Sequence, residues 1–140
     1  MLYLDTSVLV SALTNEAKTD AVRAWLSQQA TDQLTISDWV VTEFSSALSI
    51  KARIGAIDTS QHAATLAQFT QLAVNTFGRL PVETTSFRTA ARYCDQAHLN
   101  LRAGDALHLA ISAEYGATMC TLDLALGRAA PLVGVALVLL

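Results

Sequence analysis

Four acids carry the chemistry open to this chain, and two of them stand in the same place relative to what precedes them. Asp5 follows the apolar run Met1 to Leu4, and Asp123 follows Ala117 to Leu122. Each run reads as a buried strand. Each acid therefore leaves a strand at its carboxyl end, the edge of an open parallel sheet where ligands bind. Helix capping is the competing role for both, because Asp at an N-cap accepts backbone N–H groups. Thr6, Ser7 and Thr121 add hydroxyls beside them, as site residues or as caps.

Glu43 falls on an apolar helical face, one turn from Trp39, Val40 and Ala47 and two turns from Ile50. A carboxylate there needs a partner, since desolvating it alone is too costly. Either it belongs to a site or it pairs with Arg102 or Arg53. Asp105 lies in a first helical turn, where an acid also complements the helix dipole. Two carboxylates about 5 Å apart repel by about 3 kcal/mol at an effective dielectric of about 20. If the four meet, some are protonated or a divalent cation holds them. No Cys or His sits where a softer metal would want it, so an all-oxygen set points to Mg²⁺ or Mn²⁺.

The elements that must position these acids follow from periodicity and punctuation. Helices are expected over Ser7–Leu13, Ala17–Gln29 and Trp39–Arg53, the last capped by Ser37 or Asp38 and stopped near Gly55. Asp58-Thr59-Ser60-Gln61 has capping-box spacing and opens a helix to about Val74. Further helices are expected over Ser86–Gln96, capped by Thr84 or Thr85, over Asp105–Tyr115 and over Asp123–Leu132. Short strands are expected at Gln33–Ile36, Leu80–Glu83 and Val135–Leu139. Strands alternating with helices give an α/β fold with a parallel sheet.

At 140 residues the chain has the size of one domain, with no repeat or linker. Its 52% hydrophobic content points to a buried sheet covered by apolar helices or to an oligomer interface, and with only 15% charged residues a dimer or a permanent partner is expected. No apolar run is long enough to span a membrane and no basic leader precedes one, so a soluble, cytoplasmic protein is expected. Cys94 and Cys120 lack metal-type spacing and read as reduced core thiols. A net charge of −3 means that any phosphodiester partner must be drawn by a bound cation and a few local arginines.

Leu4-Asp5-Thr6-Ser7, Glu43 in VVTEFSSAL, Asp105 in LRAGDALHLA and Thr121-Leu122-Asp123 together resemble the PIN domain, most closely the VapC toxins of VapBC toxin–antitoxin pairs. The likeness spans residues 1–140 as a single PIN domain, and LRAGDALHLA is its most specific motif. It implies a three-layer α/β/α architecture with strand order 3-2-1-4-5, a metal-dependent endoribonuclease, a VapB-type antitoxin and a homodimer. Carried over by position, Asp5, Glu43, Asp105 and Asp123 form the catalytic acidic quartet, with Thr6, Ser7 and Thr121 as supporting polar groups. Leu124 and Ala125 stand where many relatives have a further acid, which implies one metal ion and not two.

In the mechanism this suggests, Asp5, Asp105 and Asp123 hold Mg²⁺ or Mn²⁺, and Glu43 acts through water. Cleavage would leave a 5′-phosphate and a 3′-hydroxyl. Arg88 and Arg92, one turn apart, and Arg102 are candidate RNA contacts, though solvated helix charges have the same appearance. His108, one turn from Asp105 on an apolar helix, reads as a hydrogen-bonded core residue. Trp25 and Trp39 read as core or interface. The rival reading is a non-catalytic PIN-like module that binds RNA or protein. An aspartyl-nucleophile phosphatase would want an Asp at Ser7, and a receiver domain would want a late Lys, whereas none follows Lys51.

Overall fold

A computed structural model describes all 140 residues, Met1–Leu140. Five strands form one parallel sheet: β1 (Leu2–Leu4), β2 (Leu34–Ser37), β3 (Gly78–Leu80), β4 (Thr118–Thr121) and β5 (Leu137–Leu139). Their order is β3-β2-β1-β4-β5, in a three-layer α/β/α arrangement. Parallel neighbours need crossovers, and helices supply them. They are α1 (Thr6–Leu13), α2 (Thr19–Leu26), α3 (Asp38–Arg53), α4 (Thr59–Asn75), α5 (Thr84–Cys94), α6 (Ala103–Glu114) and α7 (Leu124–Ala129). The chain order turns back between β1 and β4, so the carboxyl ends of these two adjacent strands flank a switch point.

Successive residues of a strand face opposite sides of the sheet. Tyr3 and Met119 pair in register and lie under α6, where Tyr3 meets His108 and Met119 packs in one cluster with Leu109. Most of the core is one cluster of 22 buried residues that includes Leu4, Leu9, Ile36, Phe44 and Ile111. A separate cluster of 6 joins Leu109 and Met119 to Leu126, Ala129, Ala130 and Val135. No helix is long and apolar enough to cross a membrane.

Several expected boundaries move. The third strand is Gly78–Leu80 and not Leu80–Glu83, because Pro81 has no N–H to continue the ladder. Helix α5 begins at Thr84 with Glu83 in the capping position, its N–H received by Ser86 Oγ at 3.1 Å. Helix α2 is shorter than Ala17–Gln29, since Thr19 Oγ1 ties down the Glu16 N–H and the Ser11 and Thr14 carbonyls just ahead of it. The Asp58–Gln61 capping box forms reciprocally at 2.7 and 2.9 Å. Helix α6 starts two residues before Asp105, and a tight 3₁₀ turn over Ala130–Val133 replaces the end of the expected final helix. Cys120 is buried, but Cys94 is exposed at the end of α5 and is no core thiol. Trp25 and Trp39 are half-buried against the larger core.

Candidate active site

Asp5 emerges from β1 almost fully buried, at 3% exposure. Its Oδ1 accepts hydrogen bonds from Ser7 Oγ at 2.6 Å and from the Val8 N–H at 3.2 Å, and its Oδ2 accepts one from Thr121 Oγ1 at 2.6 Å. The Val8 bond is a helix cap. Asp123 likewise caps α7, its Oδ1 accepting from the Ala125 and Leu126 N–H groups at 2.6 and 3.2 Å. The hydroxyls then join the two strand ends. Ser7 Oγ accepts the Leu122 N–H at 2.9 Å, and Thr121 Oγ1 accepts the Asp123 N–H at 2.9 Å.

Glu43 reaches the same place from α3. Its Oε2 accepts from Thr6 Oγ1 at 2.6 Å and lies 2.6 Å from His108 Nε2. Neither Arg102 nor Arg53 is its partner, so the salt-bridge alternative does not hold. His108, on the Asp105 face of α6, lies inside while the Arg102 side chain stays at the exposed start of the helix. His108 is buried at 3% and its Nδ1 lies 2.9 Å from the Tyr3 hydroxyl, which is 2.8 Å from Ser37 Oγ. It is the hydrogen-bonded core residue its setting suggested, and it also touches the site. Its three-residue separation from Asp105 was the available signal, since that spacing puts both on one helical face.

Gly104 lets α6 approach α3. A Cβ built there would stand 3.0 Å from Glu43 Oε1 and 3.3 Å from Trp39 Cζ2. The buried Trp39 Nε1 completes no hydrogen bond of good geometry, but it lies near enough to Glu43 to help hold its carboxyl down.

Together these elements enclose a cavity of about 290 Å³ bordered by Asp5, Thr6, Ser7, Glu43, Asp105, His108 and Asp123, with Ser46, Ala47 and Ile50 of α3 among its other lining residues. Arg102 borders an adjoining hollow of about 370 Å³ shared with Asp105 and Asp123. Arg88 and Arg92 are exposed on α5 and border neither.

The electrostatics are those of crowded acids. Burial raises the Asp5 carboxyl above its ordinary value, against the pull of its hydrogen bonds. Burial and then the charge of Asp123 raise Asp105, while the Arg102 backbone N–H draws it the other way. Burial pushes Glu43 upward too, but the contacts from His108 and Thr6 outweigh it and hold Glu43 below the usual range.

A hard cation suits this donor set in kind. One oxygen of each held acid is used up: Asp5 Oδ1, Glu43 Oε2 and Asp123 Oδ1 each face two hydrogen-bonding groups. A carboxylate offers about four acceptor sites, so each acid keeps capacity on its other oxygen. As placed, no three His, Cys, Asp or Glu side chains converge closely enough to grip an ion. Side-chain rotation is needed to close them on one.

A family model described as the PIN domain matches residues 2–131. Among solved structures, the chain is similar to FitAcB from Neisseria gonorrhoeae, at 20% identity and TM-score 0.77, with 98% of this chain and 96% of the other covered. It is similar to VapC20 from Mycobacterium tuberculosis, a sarcin–ricin loop cleaving toxin, at 14% identity and TM-score 0.74 over 92% and 95%. VapBC2 from Rickettsia felis, bound to a DNA fragment from its promoter, matches at 15% identity and TM-score 0.68 over 100% and 99%. No curated protein sequence matches it.

Proposed function

The chain belongs to the PIN domain family, and from that premise we propose that it is a metal-dependent endoribonuclease, the toxin of a VapBC-type toxin–antitoxin pair. One observation carries the reading. Four carboxylates from the end of β1, from α3, from α6 and from the end of β4 border a single cavity at the carboxyl edge of the sheet. Asp5, Asp105 and Asp123 hold one Mg²⁺ or Mn²⁺ ion, with Glu43 acting through water. When bound, the ion supplies a Lewis acid that lowers the pKa of water and neutralises charge at the phosphoryl group.

The chain's own residues do the rest. Ser7 and Thr121 fix the Asp5 carboxylate. Glu43, anchored at Oε2 by Thr6 and His108, turns Oε1 to a water and aligns it for in-line attack on phosphorus. The water oxygen bonds to phosphorus as the P–O3′ bond breaks; the water's proton leaves to solvent by way of Glu43 and O3′ takes one from solvent, leaving a 5′-phosphate and a 3′-hydroxyl. Arg102, beside Asp105 and Asp123, steadies the RNA backbone, with Arg88 and Arg92 further out. In this reading residues 1–140 act as one cytoplasmic PIN domain, paired with a VapB-type antitoxin and a second copy of the chain.

The test is cleavage of a mixed RNA pool by pure protein. Activity is expected with Mg²⁺ or Mn²⁺, none after thorough chelation by EDTA, and a loss of at least about 1,000-fold in Asp5→Asn, which keeps its fold. A second reading, a PIN-like module that binds RNA or protein without cutting, draws on the lack of three converging acids. RNA binding that persists with no metal-dependent cleavage would favour it.

A further inference from the structure

Tyr3, Ser37 and His108 form a buried polar chain that the cleavage mechanism does not by itself require. Ser37 and Tyr3 are fully buried and His108 nearly so. Their contacts run in series: the Val40 N–H to Ser37 Oγ at 3.4 Å, Ser37 Oγ to Tyr3 O at 2.8 Å, Tyr3 O to His108 Nδ1 at 2.9 Å, and His108 Nε2 to Glu43 Oε2 at 2.6 Å. A buried hydroxyl or ring nitrogen left without a partner costs free energy, so the direction that satisfies every bond of the series is the favoured one.

Ser37 already receives the Val40 N–H, and its own hydroxyl proton has one available acceptor, the Tyr3 oxygen. Tyr3 must then give its proton to His108 Nδ1. That leaves the ring proton on Nε2, where the Glu43 carboxylate accepts it. In the opposite sense, with Nδ1 donating to Tyr3 and Tyr3 donating to Ser37, the Ser37 proton would be buried with no acceptor. One polarity satisfies all four groups.

We propose that Tyr3 is a positioning residue for the nuclease site: by donating to His108 Nδ1 it fixes the ring as the Nε2–H tautomer, which holds Glu43 Oε2 and leaves Oε1 free to act. The role in cleavage rests on the proposed nuclease reading, while the tautomer assignment stands on the hydrogen-bond geometry. The device crosses three layers of the fold. Tyr3 comes from β1, Ser37 from the end of β2, His108 from α6 and Glu43 from α3. Tyr3 touches no substrate and acts only through the imidazole.

Long-range ¹H–¹⁵N correlation spectra of the imidazole rings, recorded without added metal near neutral pH, test this directly. The His108 ring is identified as the signal lost in His108→Gln. The expected result is a single neutral Nε2–H form in the parent and a mixture of tautomers in Tyr3→Phe. With Mg²⁺ present, Tyr3→Phe is expected to lose about tenfold or more in kcat, the scale of second-layer partners at metal sites. Its KM for RNA should change by less than about threefold, because ground-state binding is untouched. A parent ring protonated on Nδ1, or on both nitrogens, overturns the proposal. So does a Tyr3→Phe ring that stays wholly Nε2–H. Should Tyr3→Phe fail to fold, the parent spectrum alone still decides the tautomer. Should the parent cut no RNA with either metal, the nuclease reading fails, and the ring spectra still decide whether Tyr3 sets His108.

Discussion

Thr121 of β4 donates a 2.6 Å hydrogen bond to Oδ2 of Asp5, the residue that follows β1, so the carboxyl ends of two neighbouring strands are fastened by a single hydroxyl. Thr121 Oγ1 also accepts the Asp123 N–H at 2.9 Å. Both groups are buried, and the bond involves a carboxylate, which puts it among the stronger hydrogen bonds.

Replacing Thr121 with Val keeps the shape and removes that fastening. The Asp5 Oδ2 and the Asp123 N–H then lose their partner, at a cost of about 2 kcal/mol. Chemical denaturation of Thr121→Val should show this loss with an unchanged m-value, and RNA cleavage should fall with it. Equal stability of parent and variant would mean that the bond contributes nothing.

Gly104→Ala separates activity from stability in the other direction. Alanine is the better helix former by about 1 kcal/mol, so the variant should melt no lower than a few degrees below the parent. Its methyl group would nonetheless stand 3.0 Å from Glu43 Oε1 and 3.3 Å from the Trp39 ring. Cleavage is expected to drop by about tenfold or more as Glu43 shifts. Full activity in Gly104→Ala would show that Glu43 tolerates displacement.

The raised carboxyls give stability a pH dependence of defined sign. Asp105 binds a proton more readily folded than unfolded, so its favourable contribution is full below the ordinary value of 3.8 and is lost as pH rises through the folded value. In metal-free buffer at pH 7, Asp105→Asn should therefore melt no lower than the parent, an advantage that disappears toward pH 3. Adding Mg²⁺ or Mn²⁺ at pH 7 should raise the melting temperature of the parent and leave Asp105→Asn nearly unmoved. Thermal melts at the two pH values, with EDTA or with metal, measure both effects.

Arg88 and Arg92 are exposed on α5, away from the cavity, and Arg102 borders the hollow next to it. If all three touch phosphate, each Ala substitution should weaken RNA binding whatever the sequence and lower the salt slope of log Kd by about 1. Fluorescence anisotropy of a labelled RNA at several salt concentrations, with a cleavage-dead Asp5→Asn background, reads this. An unchanged slope in Arg88→Ala and Arg92→Ala would leave those two as solvated helix charges.

What could be read from the chain alone was local. The two strands that end in Asp5 and Asp123 announce themselves by a short apolar run, an acid and a capping hydroxyl, and the Asp58–Gln61 box by spacing. The α/β order followed from alternation, and the strand order from the family likeness. The partner of Glu43 was not readable. Its contact with His108 spans 65 positions and depends on how closely α3 and α6 pack, which is set by the missing side chain at Gly104. Periodicity placed His108 inside without saying what it would face. The β3 boundary is not legible in the sequence, because Leu80 and Val82 look equally strand-like, whereas pairing stops before Pro81.

The two strand-end acids rest on unequal foundations. Asp5 caps α1, whose Val8, Leu9, Val10 and Ala12 are set in the cluster of 22 buried residues, while Asp123 caps the six-residue α7, whose Leu126 and Ala129 sit in the cluster of 6. Local opening costs less where fewer apolar contacts must be broken. One wall of the cavity is thus anchored more deeply than the other: local unfolding that reaches the site should begin on the Asp123 side, with the hydrogen bonds through Thr121 and Ser7 as its remaining tie to the Asp5 side.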